Sequence, residues 1–141
     1  MNTESTLNRF LDAQAADYQS ALAEISNGSK TGHWMWYIFP QVQGLGFSKI
    51  SRFYALRDLQ EAQDYFDHPI LGHRLVEIST VLFELKSNDA FKIFGNPDEL
   101  KLNSCMTLFS SLVHTHPIFQ QVIDKFFEGS KDEKTLTLIF K

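Results

Sequence analysis

Cysteine is nearly absent from this sequence of 141 residues, in which Cys105 is the only example. One thiol cannot form an intramolecular disulfide, and so low a count is typical of proteins from reducing compartments. The first ten residues, MNTESTLNRF, lack the basic segment and apolar run of a secretory signal peptide. We therefore expect a cytoplasmic protein whose fold does not depend on cross-links.

Long apolar runs and an excess of positive charge are also missing. The longest nearly uncharged stretch, residues 33–47, is interrupted by Pro40 and polar residues, and it is shorter than the roughly 20 apolar residues of a membrane-spanning helix. Lys and Arg number 13 against 17 Asp and Glu, a net charge of −4. Because broad nucleic-acid binding leaves a basic footprint, we expect neither a membrane protein nor a general nucleic-acid binder.

Linkers, internal repeats and low-complexity segments are absent as well. Hydrophobic residues make up 43% of the chain and charged residues 21%, and 13 residues are Phe. A chain of this length and composition can bury a sizeable core without disulfides or metals. The sequence therefore predicts one domain spanning residues 1–141.

Apolar residues recur at helical spacing along most of the chain. In the first segment they lie three or four positions apart and end at Asn27-Gly28, which predicts one amphipathic helix or a kinked pair. The apolar block GHWMWYIF, closed by Pro40, favours a short buried helix, with a strand as the alternative.

Signals for helix starts divide the rest of the chain. Candidate N-caps are Ser48, Asp58 and Asp132, and prolines suited to the first position of a helix are Pro69, Pro97 and Pro117. Residues 89–94 suit a single helical turn that Gly95 stops, and the alternation after Asp132 also fits a strand. The prediction is an all-α fold of about seven short helices.

The stretch KTGHWMWYIFPQ contains both tryptophans of the chain beside Lys30, His33 and Gln41. Ligand pockets combine apolar walls with a few directional polar groups, so Trp34 and Trp36 could stack on a planar ring while Lys30 meets an anion. His33 is then the candidate catalytic acid or base, because its unperturbed pKa is near neutrality. The alternative is a core helix whose tryptophans fill space.

Three further segments carry polar residues of interest. Arg74 follows Pro69 and could bind an anion or form a structural ion pair. In the segment 93–109, Lys101 can pair with Asp98, and Lys101, Ser104 and Thr107 form a polar strip that lines a ligand or satisfies backbone carbonyls. The pair His114 and His116 has no recognisable third metal ligand, so we predict no metal site, and no motif implies a cofactor or fixes a reaction.

Four blocks of the chain resemble the DUF1810 family, also called Rv1873-like. They are RFLDAQAADYQSALAEISNGSKTGHWMWYIFPQVQGLGFS, EAQDYFDHPILGHRL, IFGNPDELKLNSCMTLF and DEKTLTLIF. Cys105 departs from the family pattern, which usually has a second serine after Ser104. The resemblance implies a mostly helical domain of unknown function. It also implies family-pattern residues, many of them polar, at Gln14, Tyr18, Lys30, His33, Trp34, Trp36, Gln41, His68, Arg74, Asp98, Lys101, Ser104 and Thr107.

Some members of this family carry the label "calpastatin", a protease inhibitor. Inhibitors of that type are disordered and poor in large apolar residues, whereas 43% of this chain is hydrophobic. We therefore do not expect that activity here.

Two functional hypotheses follow. In the first, Lys30, Trp34, Trp36, Gln41, Arg74, Lys101 and Ser104 bind a small anionic ligand, such as a nucleotide or an ADP-ribose-like metabolite. In the second, the chain is a non-catalytic interaction or structural domain with the aromatic block in its core. Convergence of Lys30, His33, Gln41 and Lys101 on one cleft would favour the first hypothesis.

Overall fold

The computed structural model describes residues 3–140, and their side chains from Thr6 onward. This part of the chain contains nine helices and no strand, so the all-α prediction is confirmed. The helices are α1 (Thr3–Ser26), α2 (Met35–Ile38), α3 (Lys49–Tyr54), α4 (Leu59–Asp67), α5 (Leu71–Phe83), α6 (Ala90–Phe94), α7 (Asp98–Ser110), α8 (Pro117–Phe127) and α9 (Glu133–Ile139). The first segment is thus one helix rather than a kinked pair, and the segment after Asp132 is a helix rather than a strand.

The predicted caps hold the helix starts. The side chains of Ser48, Asp58 and Asp132 each accept a hydrogen bond from the backbone N–H three residues later. These bonds satisfy N–H groups that have no partner within the helix. The carboxylate of Glu61 accepts a hydrogen bond from the N–H of Arg57 at 2.8 Å. In a standard capping box it would accept from the N–H of Asp58, one residue later.

Helix α5 begins two residues later than its proline predicts. The imidazole Nδ1 of His68 accepts from the N–H groups of Ile70 at 3.1 Å and Leu71 at 3.3 Å. These contacts place Pro69 in the preceding turn and occupy two amides at the helix start. These two amides are therefore not free to bind an anion beside Arg74.

Helix α7 lies at the centre of the molecule and packs on α4, α6, α8 and α9. It is buried on most of its circumference, including Cys105, Met106 and Phe109. The rings of Phe10, Tyr65 and Phe109 continue the core towards α1 and α4 through edge and tilted contacts. Leu100, although apolar, is 59% exposed and lies where α7 meets the candidate site.

A long loop carries α3 over the surface between α2 and α4. Its two ends meet at an isolated bridge between Val42 and Leu56, where the N–H of Gln43 donates to the carbonyl of Leu56 at 2.7 Å. Helix α3 buries none of its residues. Among residues 3–140, no helix combines the length and the hydrophobicity required to cross a membrane.

Candidate functional site

A cleft of about 420 Å³ lies between the long loop, α7 and the start of α9. Trp36, in α2, forms part of its wall together with residues from all three elements. The lining residues are Trp36, Gln41, Leu45, Gly46, Phe47, Ser48, Ser51, Pro97, Leu100, Lys101, Ser104, Asp132 and Lys134. Of the residues predicted from the sequence to bind a ligand, the cleft therefore brings together Trp36, Gln41, Lys101 and Ser104.

Two lysines share one carboxylate beside this cleft. The Nζ of Lys30 lies 2.8 Å from Oδ2 of Asp98, and the Nζ of Lys101 lies 3.3 Å from Oδ1 of the same residue. The predicted pairing of Lys101 with Asp98 is thus present. Two ammonium groups and one carboxylate leave this cluster with one net positive charge, and Lys101 presents it to the cleft.

Each of these lysines also lies against a tryptophan. The Nζ of Lys30 is 5.0 Å from the ring centroid of Trp34, and the Nζ of Lys101 is 4.7 Å from that of Trp36. Such contacts attract the cation to the face of the ring. The side chain of Lys30 is only 8% exposed and that of Lys101 is 24% exposed, so Lys101 is the one available to a ligand.

Trp36 and Gln41 contribute polar atoms that the fold does not use. Neither the indole N–H of Trp36 nor the side-chain amide of Gln41 makes a hydrogen bond within the described part of the chain. No buried side-chain nitrogen or oxygen there lacks a partner, so both groups reach solvent. They offer three N–H donors and one acceptor oxygen beside Lys101.

Ser104 lies at the floor of the cleft beside Asp132. Its Oγ is 3.2 Å from the carbonyl of Leu100 and 3.2 Å from Oδ2 of Asp132. That carboxylate also accepts from the N–H and the hydroxyl of Thr135. Thr107, fully buried, accepts from the N–H of Asp132 at 2.9 Å. Ser104 and Thr107 of the polar strip therefore fix the start of α9, and Ser104 also faces the cleft.

His33 and Trp34 lie outside the cleft. His33 is exposed and is not among the residues that line the cleft. Trp34 is 2% exposed and donates its indole N–H to Oε1 of Glu24 at 3.0 Å. Burial of Glu24 opposes its charge, but hydrogen bonds from Gly32, Thr31 and Trp34 hold the pKa of this carboxyl below its ordinary value.

Arg74 belongs to a different polar cluster. Its guanidinium donates to Oε1 of Gln14 at 3.3 Å and lies 5.1 Å from the ring centroid of Tyr18. The hydroxyl of Tyr18 donates to Glu77 at 2.5 Å, and burial followed by this bond raises the pKa of that phenol. The buried amide of Gln14 also donates to the carbonyl of Tyr37 at 2.7 Å. These contacts join α1 to α2 and α5, so the cluster acts in packing.

Sequence reasoning missed two prominent residues of the cleft. Phe47 is 74% exposed, and Lys134 places its Nζ 5.9 Å from the centroid of that ring. The only signal for Phe47 was its position after the GLG segment, where a large apolar residue follows two glycines. Nothing in the sequence around Lys134 distinguishes it from other surface lysines, because only folding brings α9 to the loop.

The remaining candidates have structural contacts. Nδ1 of His116 accepts from the N–H of Ile118 at 2.9 Å and caps α8. Residues 3–140 contain no cluster of three or more His, Cys, Asp or Glu side chains suited to a metal ion. Cys105 is fully buried, which raises the pKa of its thiol, so the thiolate needed for nucleophilic attack is disfavoured.

Comparison with known proteins identifies the family. The family model described as "Protein of unknown function (DUF1810)" matches residues 4–139. The crystal structure of the conserved hypothetical protein Rv1873 from Mycobacterium tuberculosis is similar, with 40% sequence identity, 96% of each chain covered and a TM-score of 0.93. A search of curated proteins gave no match. The chain belongs to the DUF1810 family.

Proposed function

We propose that the cleft between α2, α7 and the long loop binds a small anionic ligand with a ring or other apolar part. The observation that carries this proposal is that Trp36, Gln41 and Lys101, from different elements, line one cavity of about 420 Å³. That volume lies within the usual range for small-molecule sites. A nucleotide or an ADP-ribose-like metabolite has the required combination of charge and ring.

The charges of the cleft support an anion. Lys101 provides the unpaired charge of its cluster, and Lys134 provides a second ammonium group without an ion-pair partner in the described part of the chain. The carboxylate of Asp132 also lines the cleft; its Oδ2 accepts three hydrogen bonds, but its negative charge remains. The cluster of Lys101 together with Lys134 and Asp132 still carries one net positive charge, so an anionic group beside the two lysines would meet net attraction.

The apolar walls support a ring or alkyl part. Trp36 is half-buried, and Leu45, Phe47 and Leu100 extend the apolar surface to the rim. A ligand that covers Phe47 would remove from water a ring that is 74% exposed. The free indole N–H of Trp36 and the amide of Gln41 would orient it. In this proposal Lys30 holds Asp98 in position. Ligand contacts of Trp34 and Arg74, and catalysis by His33, remain predictions that the positions of these residues do not support.

The test is a thermal-shift screen with adenosine 5′-monophosphate, ADP-ribose, glucose 6-phosphate and inorganic phosphate. A ligand at a hundredfold excess over its dissociation constant stabilises the fold by about 2.7 kcal/mol, which corresponds to a shift of several degrees. Lys101→Ala should reduce the shift, because it removes the charge inside the cleft. The matched control is Lys86→Ala, which removes an exposed charge outside the cleft, between α5 and α6. No shift with any of these compounds, or equal shifts in both variants, would contradict the proposal.

A further inference from the structure

A second cavity of about 390 Å³ adjoins the cleft. Its lining includes Gln43, Gly44, Arg52 and Ala55, and it shares Gly46 and Phe47 with the first cavity. The two spaces are therefore separated only by the short segment that carries the exposed ring of Phe47. A ligand extended along this segment would reach both cavities.

The long loop is anchored at its base and exposed beyond it. The bridge at Val42 and Leu56 closes the base, and Arg9 donates to the neighbouring carbonyls of Phe53 at 2.8 Å and Ala55 at 2.9 Å. Beyond the base, no residue of α3 is fully buried, and Phe47 is largely exposed. The exposed side chains there can thus change position around a ligand without breaking the core.

The segment that includes the long loop carries charged side chains of positive sign only. Residues 25–57 contain no Asp or Glu, although the whole chain has a net charge of −4. Lys30 and Arg57 pair with carboxylates outside the segment, whereas Lys49 and Arg52 make no ion pair within residues 3–140. Arg52 is the one of these two that lines the second cavity.

Arg52 suits a second anionic group. Its guanidinium can form paired hydrogen bonds with a phosphate or a carboxylate, and no hydrogen bond of this guanidinium to the described residues competes with a ligand. The Nζ of Lys134 lies 5.9 Å from the centroid of the Phe47 ring. Lys134 thus lines the first cavity and Arg52 the second, while Phe47 lines both.

We propose that the second cavity is an anion subsite of the same ligand site. The ligand class is then a small molecule with two separated anionic groups, such as a nucleoside bisphosphate. Lys101 and Lys134 hold one group, Arg52 holds the other, and the middle of the ligand lies along Gly46 and Phe47. This inference rests on the proposed function and makes it more specific.

The experiment compares adenosine 5′-monophosphate with adenosine 3′,5′-bisphosphate by isothermal titration calorimetry. In the unmodified protein the bisphosphate should bind at least about tenfold more tightly, the factor expected for one additional charge-assisted contact, with one molecule per chain. Arg52→Ala should abolish most of that advantage while leaving the affinity for the monophosphate nearly unchanged. Lys49→Ala, which removes a neighbouring charge of α3 that lines neither cavity, should keep the advantage.

The outcomes separate this inference from the proposed function. Equal affinities for the two nucleotides in the unmodified protein would overturn the second subsite and leave the first cleft standing. Equal losses in Arg52→Ala and Lys49→Ala would also overturn it, because they would indicate general attraction to the basic loop. Binding of neither nucleotide would overturn both proposals for this ligand class. Since Arg52 is exposed, its variant should melt like the unmodified protein, and a melting curve checks this.

Discussion

At the scale of single residues, the two tryptophans have different environments despite lying two positions apart. Trp34 is buried, and its indole N–H is bonded to Glu24, whereas Trp36 faces the cleft with Lys101 on its ring. Residues two positions apart at the start of a helix point in different directions, so one indole lies in the core and the other lines the cleft. Trp34 thus fills core space, whereas ligand binding at Trp36 stays a proposal.

Glu24 gives a prediction at this scale. Because its pKa is held below the ordinary value of 4.5, the ionised carboxylate contributes stability above that pH, and the contribution is lost as the pH falls through the lowered pKa. Glu24→Gln should therefore lower the urea midpoint at pH 7. The difference from the unmodified protein should shrink as the pH falls from 4.5 through the lowered pKa, because Glu24 then becomes neutral, as Gln is at every pH.

Urea titrations at several pH values measure this effect. Glu84→Gln is the matched control, because that exposed side chain has no hydrogen bond to the described residues. A difference between Glu24→Gln and the unmodified protein that stays constant from pH 7 to pH 3 would contradict the assignment.

At the scale of helices, caps decide where the elements begin and what the cleft contains. The carboxylate of Asp132 caps α9 and also contacts Ser104 of α7. Helix α9 in turn carries Lys134 to the cleft and places Leu138 against the loop, where a Cβ at Gly44 would lie 3.1 Å from Leu138. One N-cap therefore links α7, α9 and the long loop.

Asp132→Ala should destabilise the fold by about 1–2 kcal/mol, the usual cost of removing an N-cap acceptor. Asp132→Asn is the matched control, because Asn is nearly as effective at this position and should cost less. Chemical denaturation of the three proteins measures both values. Equal losses for the two variants would indicate that charge, rather than the cap hydrogen bond, dominates at Asp132.

At the scale of the whole molecule, stability comes from one core in which α7 is central. Phe109 is fully buried and contacts the rings of Tyr65 and Phe119, whereas Phe91 is 62% exposed. The two phenylalanines therefore contribute very differently to the stability of the fold, because only Phe109 is removed from water and tightly packed.

Phe109→Ala should lower the free energy of unfolding by about 3–5 kcal/mol, since it leaves a cavity in the packed centre. Phe91→Ala should change it by less than about 0.5 kcal/mol, as expected for an exposed position. Denaturant unfolding of both variants tests the comparison. A loss at Phe91 close to that at Phe109 would mean that α6 packs more tightly than its exposure indicates.

The sequence by itself determined the helical class and most helix starts, because apolar spacing and capping residues act over a few positions of the chain. It also identified Trp36, Gln41, Lys101 and Ser104 as residues of interest, since aromatic and polar groups are concentrated in two segments. It could not distinguish the roles of Trp34 and Trp36, or separate Arg74 from Lys101, because burial depends on which elements pack together.

Only the tertiary structure brought Phe47, Arg52 and Lys134 to the same region of the surface. Phe47 and Arg52 lie in the region of the long loop, and Lys134 lies on α9, far from them along the chain. No local rule relates the two segments. The packing of α9 on α7 and the bridge at the base of the loop create the two cavities. The physical reason is that a cleft is a property of surfaces from several elements, whereas local sequence patterns report single elements.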